Sequence, residues 1–474
     1  ELARLARTVG FGRIAATVPT PDGMTQLHGH LGLGDTFGEM ALMTGDPAVA
    51  DLIAEDSARV ILLPITIFQS HIMADPRAVQ HISRTIGARF RRVLADPAKA
   101  ATVMKEEDIS KLLDLKGERP ECILVLNCGS SSLKYSVFDT AHPENTAMGQ
   151  IERIGTSGTR LIQRTAGQEL TRDLPEGGHA EAFNAMLAAL TDKEEGIIRE
   201  ASAISVIGHR VVHGGEKFTT ATVIDDTVLA AIEALSPLAP LHNPVNVMGI
   251  REARRVFPAV PHVAVFDTAF HSTLPSHAFL YGLPYDYYSS KGIRRYGFHG
   301  SSHGYIALAT AKFLKRRTRE LRIVSCHLGN GASVCAIDHG RSVDTSMGFT
   351  PNEGLIMGTR CGDLDSGIIP YLERIEGITT AQIDPLLNKQ SGLLGLSGIS
   401  GDMREIEKAA DAGDIRAPTA LKAFCYRVRK YIGSYIAAMG GIDVLVFTGG
   451  IGQGSAGVRG TVLKGLECMG IQLD

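Results

Sequence analysis

Eight short polar clusters, most of them flanked by glycine, carry the candidate chemistry of this chain. Asn127-Cys128-Gly129-Ser130-Ser131-Ser132-Leu133-Lys134 sets a glycine turn between hydroxyls and a lysine. Backbone N–H groups of such a turn can cradle phosphate oxygens, and a plain polar hairpin turn is the other reading. The spacing is not GxxxxGK[ST], which excludes a P-loop. In His209-Arg210-Val211-Val212-His213-Gly214-Gly215, Arg210 stands where a zinc protease needs its general-base Glu, so no zinc site is expected. An arginine closing an apolar strand suits a carboxylate or phosphate; a structural salt bridge is the alternative.

Six further clusters follow: Leu241-His242-Asn243-Pro244, residues 266–271 (FDTAFH), 295–303 (RYGFHGSSH), 327–333 (HLGNGAS), 357–365 (MGTRCGDLD) and 447–452 (FTGGIG). Asp267 ends an apolar strand, a usual place for a metal-binding carboxylate in α/β folds. A lone strand histidine is more often a hydrogen-bonded core residue than a catalyst. Eight polar clusters at strand ends are harder to explain as packing. Phosphoryl transfer needs such parts: a phosphate cradle, a carboxylate for Mg²⁺, and cations around the moving group. A carboxylate acceptor is already ionised at pH 7, so no general base is required.

The elements that must position these clusters alternate between strand and helix. ILVLN (123–127) and LKYSVFD (133–139) read as a hairpin. Residues 202–215, 262–270, 322–338 and 442–452 each join an apolar strand to a polar or Gly-rich end, with helices over 303–317 and 419–440, which is an α/β pattern. NCGSSSLKYSVFD and HLGNGASVCAID resemble each other as a weak internal duplication, predicting two related lobes with a cleft between them. Residues 58–64 read as a strand, and 76–94 as a helix with a basic face from Arg84, Arg89, Arg91 and Arg92, a solvated face by default. Residues 95–120 read as a linker. The whole chain has 474 residues, enough for two or three domains. Its 44% apolar and 21% charged content is globular, and a net charge of -3 gives no support to nucleic-acid binding. Seven scattered cysteines without CxxC, no apolar run of membrane-spanning length and no signal peptide at the start predict a cytoplasmic protein. The chain opens at Glu1 rather than Met.

Taken in order, the eight clusters resemble those of acetate kinases over residues 121–474. The resemblance implies the duplicated two-lobed fold shared with sugar kinases, heat-shock ATPases and actin, with ribonuclease H-like lobes at 121–268 and 269–474. It also implies a homodimer, and direct in-line, reversible transfer from ATP to acetate giving acetyl phosphate and ADP, with Mg²⁺. By resemblance, Arg210 and Arg360 grip acetate and the moving phosphoryl, and Asp267 is the catalytic, Mg²⁺-associated carboxylate. His299 stabilises the transition state with Arg360 and His242. Asn127 is a metal-side residue. Ser130, Ser132, Lys134, His327, Leu328, Gly329, Asn330, Gly331, Asp402, Met403, Arg404, Gly449, Gly450, Ile451 and Gly452 meet ATP. Val212, Leu241, Phe298 and Pro351 form the pocket for the acetate methyl. A kinase for propionate or another short carboxylate is the close alternative. Gln453-Gly454 replace the usual Glu-Asn, and the family pattern runs on beyond Asp474, including a Mg²⁺-binding Glu without a counterpart here; a truncated kinase with impaired metal binding is therefore an expectation.

Residues 1–94 are expected to form a partial β-roll plus helix, because 33–42 (LGDTFGEMAL) resembles the phosphate cassette of cyclic-nucleotide-binding domains. There Gly38 faces the cyclic phosphate and Glu39 the ribose. Ala48 stands where the cassette arginine belongs, so tight cyclic-nucleotide binding is not expected. A catalytically impaired, cyclic-nucleotide-linked regulatory protein is the reading from another class.

Overall fold

The computed structural model describes residues 5–11, 14–19, 25–31, 36–37, 51–55, 57–64, 122–140, 146–165 and 168–471. The chain divides into two compact units, Glu1–Pro120 and Glu121–Asp474. The expected helix at 76–94, the linker at 95–120, and Gly38, Glu39 and Ala48 lie outside the described residues.

In the first unit, β1 (Leu5–Phe11), β4 (Thr36–Phe37) and β6 (Arg59–Pro64) form one antiparallel sheet in the order β4-β1-β6. Strands β2 (Ile14–Pro19), β3 (Thr25–Leu31) and β5 (Asp51–Ala54) form another in the order β3-β2-β5. Ile14 is buried against Leu31 and Ala58.

In the second unit, β7 (Cys122–Gly129) and β8 (Ser132–Asp139) are the expected hairpin. They continue into β9 (Thr146–Glu152), β10 (Arg160–Thr165) and β11 (Gln168–Asp173). On the other side β7 pairs in parallel with β12 (Val206–Val211), and β12 with β14 (His262–Phe266), while β13 (Thr222–Val223) closes the edge. Alternation decides the faces. Leu124, Leu126 and Cys128 of β7 point into a core shared with Phe183 and Met186 of α1 (His179–Leu190). Ile232 of α2 (Asp226–Ala234) and Val247 of α3 (Asn243–Val256) pack beside Val211 and Phe266 on the neighbouring strands. The opposite face carries Val125, Met148, Val223 and Val265, each more than a third exposed.

The second lobe repeats the plan. Strands β15 (Arg322–Leu328), β16 (Ala332–Asp338) and β17 (Arg341–Thr345) are an antiparallel meander, and β18 (Val444–Thr448) runs parallel to β15. The order β17-β16-β15-β18 matches β9-β8-β7-β12 strand for strand, which is the duplication expected from the two hairpin motifs. Both faces of this sheet are covered. Ile323, Cys335 and Ile337 pack on Ala307 and Ala311 of α4 (Gly300–Phe313). Val324, Cys326 and Leu328 pack in the core that holds Met403 of α5 (Met403–Asp411) and Phe424, Val428 and Ile432 of α6 (Ala417–Met439).

Two boundaries differ from expectation. Helix α4 starts at Gly300, three residues early, because His299 adopts φ 58° as its N-cap. It stops at Phe313, just ahead of Lys315 in a left-handed conformation. The apolar part of 442–452 is β18, and its Gly-rich end forms the head of α7 (Gly449–Gly454), in keeping with the expected pattern. No described helix is long and apolar enough to cross a membrane.

Several histidines are buried as neutral groups, and this sets an acid limit on stability. Burial pushes His213 and His271 down to about 4, each at 0–1% exposure. The unfolded chain then binds more protons below the ordinary value near 6.5. Stability is fully present above pH 6.5 and falls as the pH drops from 6.5 toward 4, by about 1.4 kcal/mol per pH unit for each histidine. Urea denaturation of the protein at pH 7.5, 5.5 and 4.5 measures this; a flat midpoint over that range contradicts it.

Candidate active site

The sheet order of the first lobe brings three candidate residues to adjacent strand ends. Leu126 of β7 pairs with His209 of β12, and His209 with Ala264 of β14. One residue further along, Asn127 and Arg210 are therefore neighbours, and Asp267 follows the end of β14. Arg210 grips Asp267 with its fork: Nε lies 3.0 and 3.2 Å from the two carboxylate oxygens, and Nη2 lies 2.7 Å from Oδ2. Asp267 is 2% exposed, while the Arg210 side chain keeps 39%. The neighbouring carboxylate raises the Arg210 guanidinium above its usual value. The salt bridge is thus present, and Nη1 has no hydrogen-bond partner among the described residues.

Helix α3 holds this corner. Asn246 accepts from Val212 N at 3.0 Å and donates to Cys128 O at 3.2 Å, joining β12 to the β7–β8 turn. Asn243 accepts from His213 N and donates to His213 O. A Cβ on Gly249 would lie 2.6 Å from Cys128 Cβ, so glycine permits the close approach of helix and strand. His242, the residue preceding α3, is thereby carried to the same corner.

The second lobe supplies the other cation. Arg360 donates to Pro351 O at 3.1 Å and forms no ion pair among the described residues. Burial and the charge of Arg210 lower its guanidinium below the usual value. A Cβ on Gly331 would lie 3.5 Å from Arg360 Nη1 and 3.6 Å from His299 Cε1 and Nε2, so these three residues converge. The ring centroids of His299 and His327 are 4.3 Å apart. Burial, His327, Arg210 and Arg360 hold His299 well below the usual histidine range. His242 is lowered by burial, Arg360 and Arg210 against an opposing pull from Asp267. His327 is lowered by burial and Arg210, again opposed by Asp267. The cluster thus holds two cations, one carboxylate and three neutral imidazoles. That is a net positive, partly buried site, whose charge suits an anion.

Backbone strain lies here too. His299 sits at a positive φ that non-glycine residues rarely adopt. A Cβ on Gly300 would meet Asp267 O at 2.3 Å, so glycine lets the start of α4 press onto the strand end that carries Asp267.

The remaining candidates form a second group. Gly358 N donates to Asn330 O, and Gly401 packs on Gly358 O, which sets residues 402–404 beside the Asn330 turn. Asp402 caps α5 and pairs with Arg404, whose side chain is 88% exposed. Gly449, at φ 78°, packs against Leu328 O at the head of α7, with Gly450, Ile451 and Gly452 in that helix. The side chains of Leu328 and Met403 are buried in the core, so a ligand at those positions meets backbone only. In the apolar set, Val212 and Phe298 share one buried cluster with 8% and 1% exposure, whereas Leu241 is 53% exposed. Across the hairpin, Asn127 faces Lys134 and Gly129 faces Ser132. Ser130 and Lys134 are exposed, and no described hydrogen bond or ion pair joins either to the charged cluster. Asn246, Thr268, Ser325 and Ser333 have no role legible in the sequence motifs. Thr268, Ser325 and Ser333 lie within the segments 266–271, 322–338 and 327–333, but a hydroxyl gives no sign in sequence of its partner.

A profile described as the acetokinase family matches residues 122–474. The chain belongs to that family. A cyclic nucleotide-binding domain profile matches residues 8–75. The acetate kinase of Clostridium botulinum strain Okra is 49% identical over 352 residues, 74% of this chain and 89% of its own length. That of Carboxydothermus hydrogenoformans is 52% identical over 353 residues, 74% of this chain and 88% of its own. Among solved structures, Porphyromonas gingivalis acetate kinase superposes with a TM-score of 0.71 at 44% identity, covering 75% of this chain and 89% of its own. A propionate kinase from Francisella tularensis superposes with a TM-score of 0.71 at 40% identity, covering 75% and 90%. The second unit thus has the fold of the acetate and propionate kinases, and the chain is a phosphotransferase of this family.

Proposed function

We propose that the protein transfers the γ-phosphoryl of ATP to acetate, reversibly, giving acetyl phosphate and ADP. The observation that carries this reading is Arg360: a partly buried cation without a counter-charge among the described residues, beside a second arginine and three neutral imidazoles. An acetate oxygen attacks the γ-phosphorus as the bond to the β-bridging oxygen breaks, and ADP leaves with those electrons. The acceptor is ionised at neutral pH, so no residue has to remove a proton. Arg210 and Arg360 offset the charge of the moving group, and Asp267 holds Arg210 in place while the carboxylate keeps further lone pairs free. The 327–331 turn, residues 402–404 and 449–452 take the nucleotide, with Ser130, Ser132 and Lys134 on the phosphate side. A homodimer in the cytoplasm is part of the same reading.

Mg²⁺ fits this donor set in one way. No group of three or more His, Cys, Asp or Glu that could hold a metal exists among the described residues. Mg²⁺ in nucleotide enzymes is commonly held by one or two carboxylates plus substrate phosphates. Asp267 and Asn127, at the ends of the two strands that flank β12, would hold the ion on the phosphates, where it would supply charge neutralisation.

The test is the rate of acyl phosphate formation from ATP with acetate and with propionate. Acetate is expected to give the higher kcat/KM. No acyl phosphate from either acid sinks the proposal. Val212 and Phe298 form the wall of the acyl pocket in this reading, so Val212→Ala shifts the kcat/KM ratio toward propionate by about tenfold, the scale of one methylene in an apolar pocket. An unchanged ratio removes Val212 from that wall. A preference of the unsubstituted protein for propionate favours the alternative acid.

The N-terminal domain is read as not binding cyclic nucleotide tightly, because Ala48 supplies no cation for the phosphate. Calorimetric titration of the whole chain with cyclic AMP checks this, and sub-micromolar binding overturns it.

A further inference from the structure

A line of hydrogen bonds runs from His299 into the interior and ends on a serine. His299 Nδ1 lies 2.9 Å from Ser333 Oγ. Ser333 Oγ lies 2.9 Å from His303 Nε2, and His303 Nδ1 lies 3.0 Å from Ser325 Oγ. Ser325, Ser333 and His303 have no exposed surface. The three elements involved are rigid: β15 carries Ser325, β16 carries Ser333, and the first turn of α4 carries His303. Ser325 and Ser333 lie on adjacent paired strands, Ser325 opposite Cys335 and Ser333 opposite His327.

Each neutral imidazole has one proton, and each hydroxyl has one proton to donate. The line can run continuously in two directions; a third arrangement, in which Ser333 accepts from both imidazoles, leaves the buried Ser333 proton without an acceptor among the described residues. In one, Ser325 donates to His303 Nδ1, His303 Nε2–H donates to Ser333, and Ser333 donates to His299 Nδ1. His299 then carries its proton on Nε2. In the other, every donor becomes an acceptor, His299 carries its proton on Nδ1, and Ser325 must accept from His303. The end of the line decides between them. Ser325 Oγ has no hydrogen-bond partner other than His303 among the described residues. The second direction leaves its buried proton without an acceptor, a state native interiors rarely tolerate. A second proton on either imidazole is opposed by burial, and on His299 also by Arg210 and Arg360.

At the other end, the edge of the His299 ring bearing Cε1 and Nε2 faces Gly331 and the Arg360 guanidinium. We propose that Ser325 and Ser333, acting through His303, are positioning residues that fix His299 as its Nε2–H tautomer, so that it presents a hydrogen-bond donor to an oxygen of the transferred phosphoryl group. The donor role rests on the kinase reading above; the tautomer does not. No bond to a substrate is made by either serine. Their work is to remove the choice that a free imidazole has between donor and acceptor, and so to present the donor without reorganisation when charge develops.

The experiment is a long-range ¹H–¹⁵N correlation spectrum of the whole protein labelled with ¹⁵N-histidine, with His299→Gln and His303→Gln assigning the signals. The expected result is a protonated Nε2 and a bare Nδ1 for both His299 and His303. Ser325→Ala removes the donor to His303 Nδ1, and the His303 Nδ1 signal is expected to move, with a smaller shift carried through Ser333 to His299 Nδ1. Ser333→Ala lowers kcat roughly tenfold, the scale of one hydrogen bond, with the KM for acetate little changed, and Ser333→Thr restores the hydroxyl and most of the rate. A proton on Nδ1 of His299 in the unsubstituted protein overturns the proposal, as does a Ser325→Ala spectrum identical to it. The spectrum of the unsubstituted protein decides even where a variant fails to fold. If the protein forms no acyl phosphate while His299 shows the Nε2–H form, the kinase reading fails and the tautomer assignment stands.

Discussion

Replacing Arg360 with alanine lowers kcat for acetyl phosphate formation by about 10²–10³-fold, the loss expected when one charge-stabilising donor is removed from a preorganised site. Arg360 has no carboxylate partner among the described residues, and its guanidinium is lowered by burial and by Arg210. It therefore contributes little favourable pairing to the empty protein, and its removal relieves repulsion there. Stability should accordingly hold or rise slightly while activity collapses. Steady-state kinetics and thermal denaturation of Arg360→Ala measure both. Near-normal turnover would show that the transferred group does not meet this cation. A large fall in Tm would show that its role is structural.

Asp267→Asn separates the same two roles from the opposite side. The substitution keeps the size and an acceptor oxygen but removes the charge that holds Arg210 by three short contacts. Arg210 and Arg360 then face each other without a compensating anion. We expect kcat to fall by at least about 10²-fold, as for loss of one electrostatic group in a preorganised site. The pair is half open to solvent on the Arg210 side, so the stability loss is discounted to about 1–2 kcal/mol from the larger cost of breaking a fully buried pair. The site also gains net positive charge, so inorganic phosphate should raise Tm more in Asp267→Asn than in the unsubstituted protein. Equal phosphate response in the two proteins contradicts this account of the charge balance.

Much of the site was legible because its residues occupy strand ends, where a run of apolar residues gives way to glycine and polar groups. Asp267 after VAVF, Arg210 within VIGHRV and Gly449 after VLVFT all fall at that change. The duplication was legible for the same reason: two hairpins with the same punctuation gave two sheets of the same order. The start of α4 is not legible in the sequence because a glycine-flanked histidine reads as loop, whereas Gly300 tucked against Asp267 O makes it a helix start. Leu328 and Met403 matched a motif, but a motif does not say which way a side chain points, and both point into the core.

By itself the sequence determined the class of the elements, the positions of the polar clusters and membership of the family, because these depend on local periodicity and on residue order. Tertiary structure alone decided which clusters meet. Arg210 finds Asp267 because β12 lies beside β14, and His299 finds Arg360 because the 327–331 turn stands between them. It also decided charge and proton position. The same histidine titrates in the ordinary range when solvated and stays neutral when buried beside two guanidinium groups, and which nitrogen bears its proton is set by hydroxyls on neighbouring strands, Ser325 and Ser333.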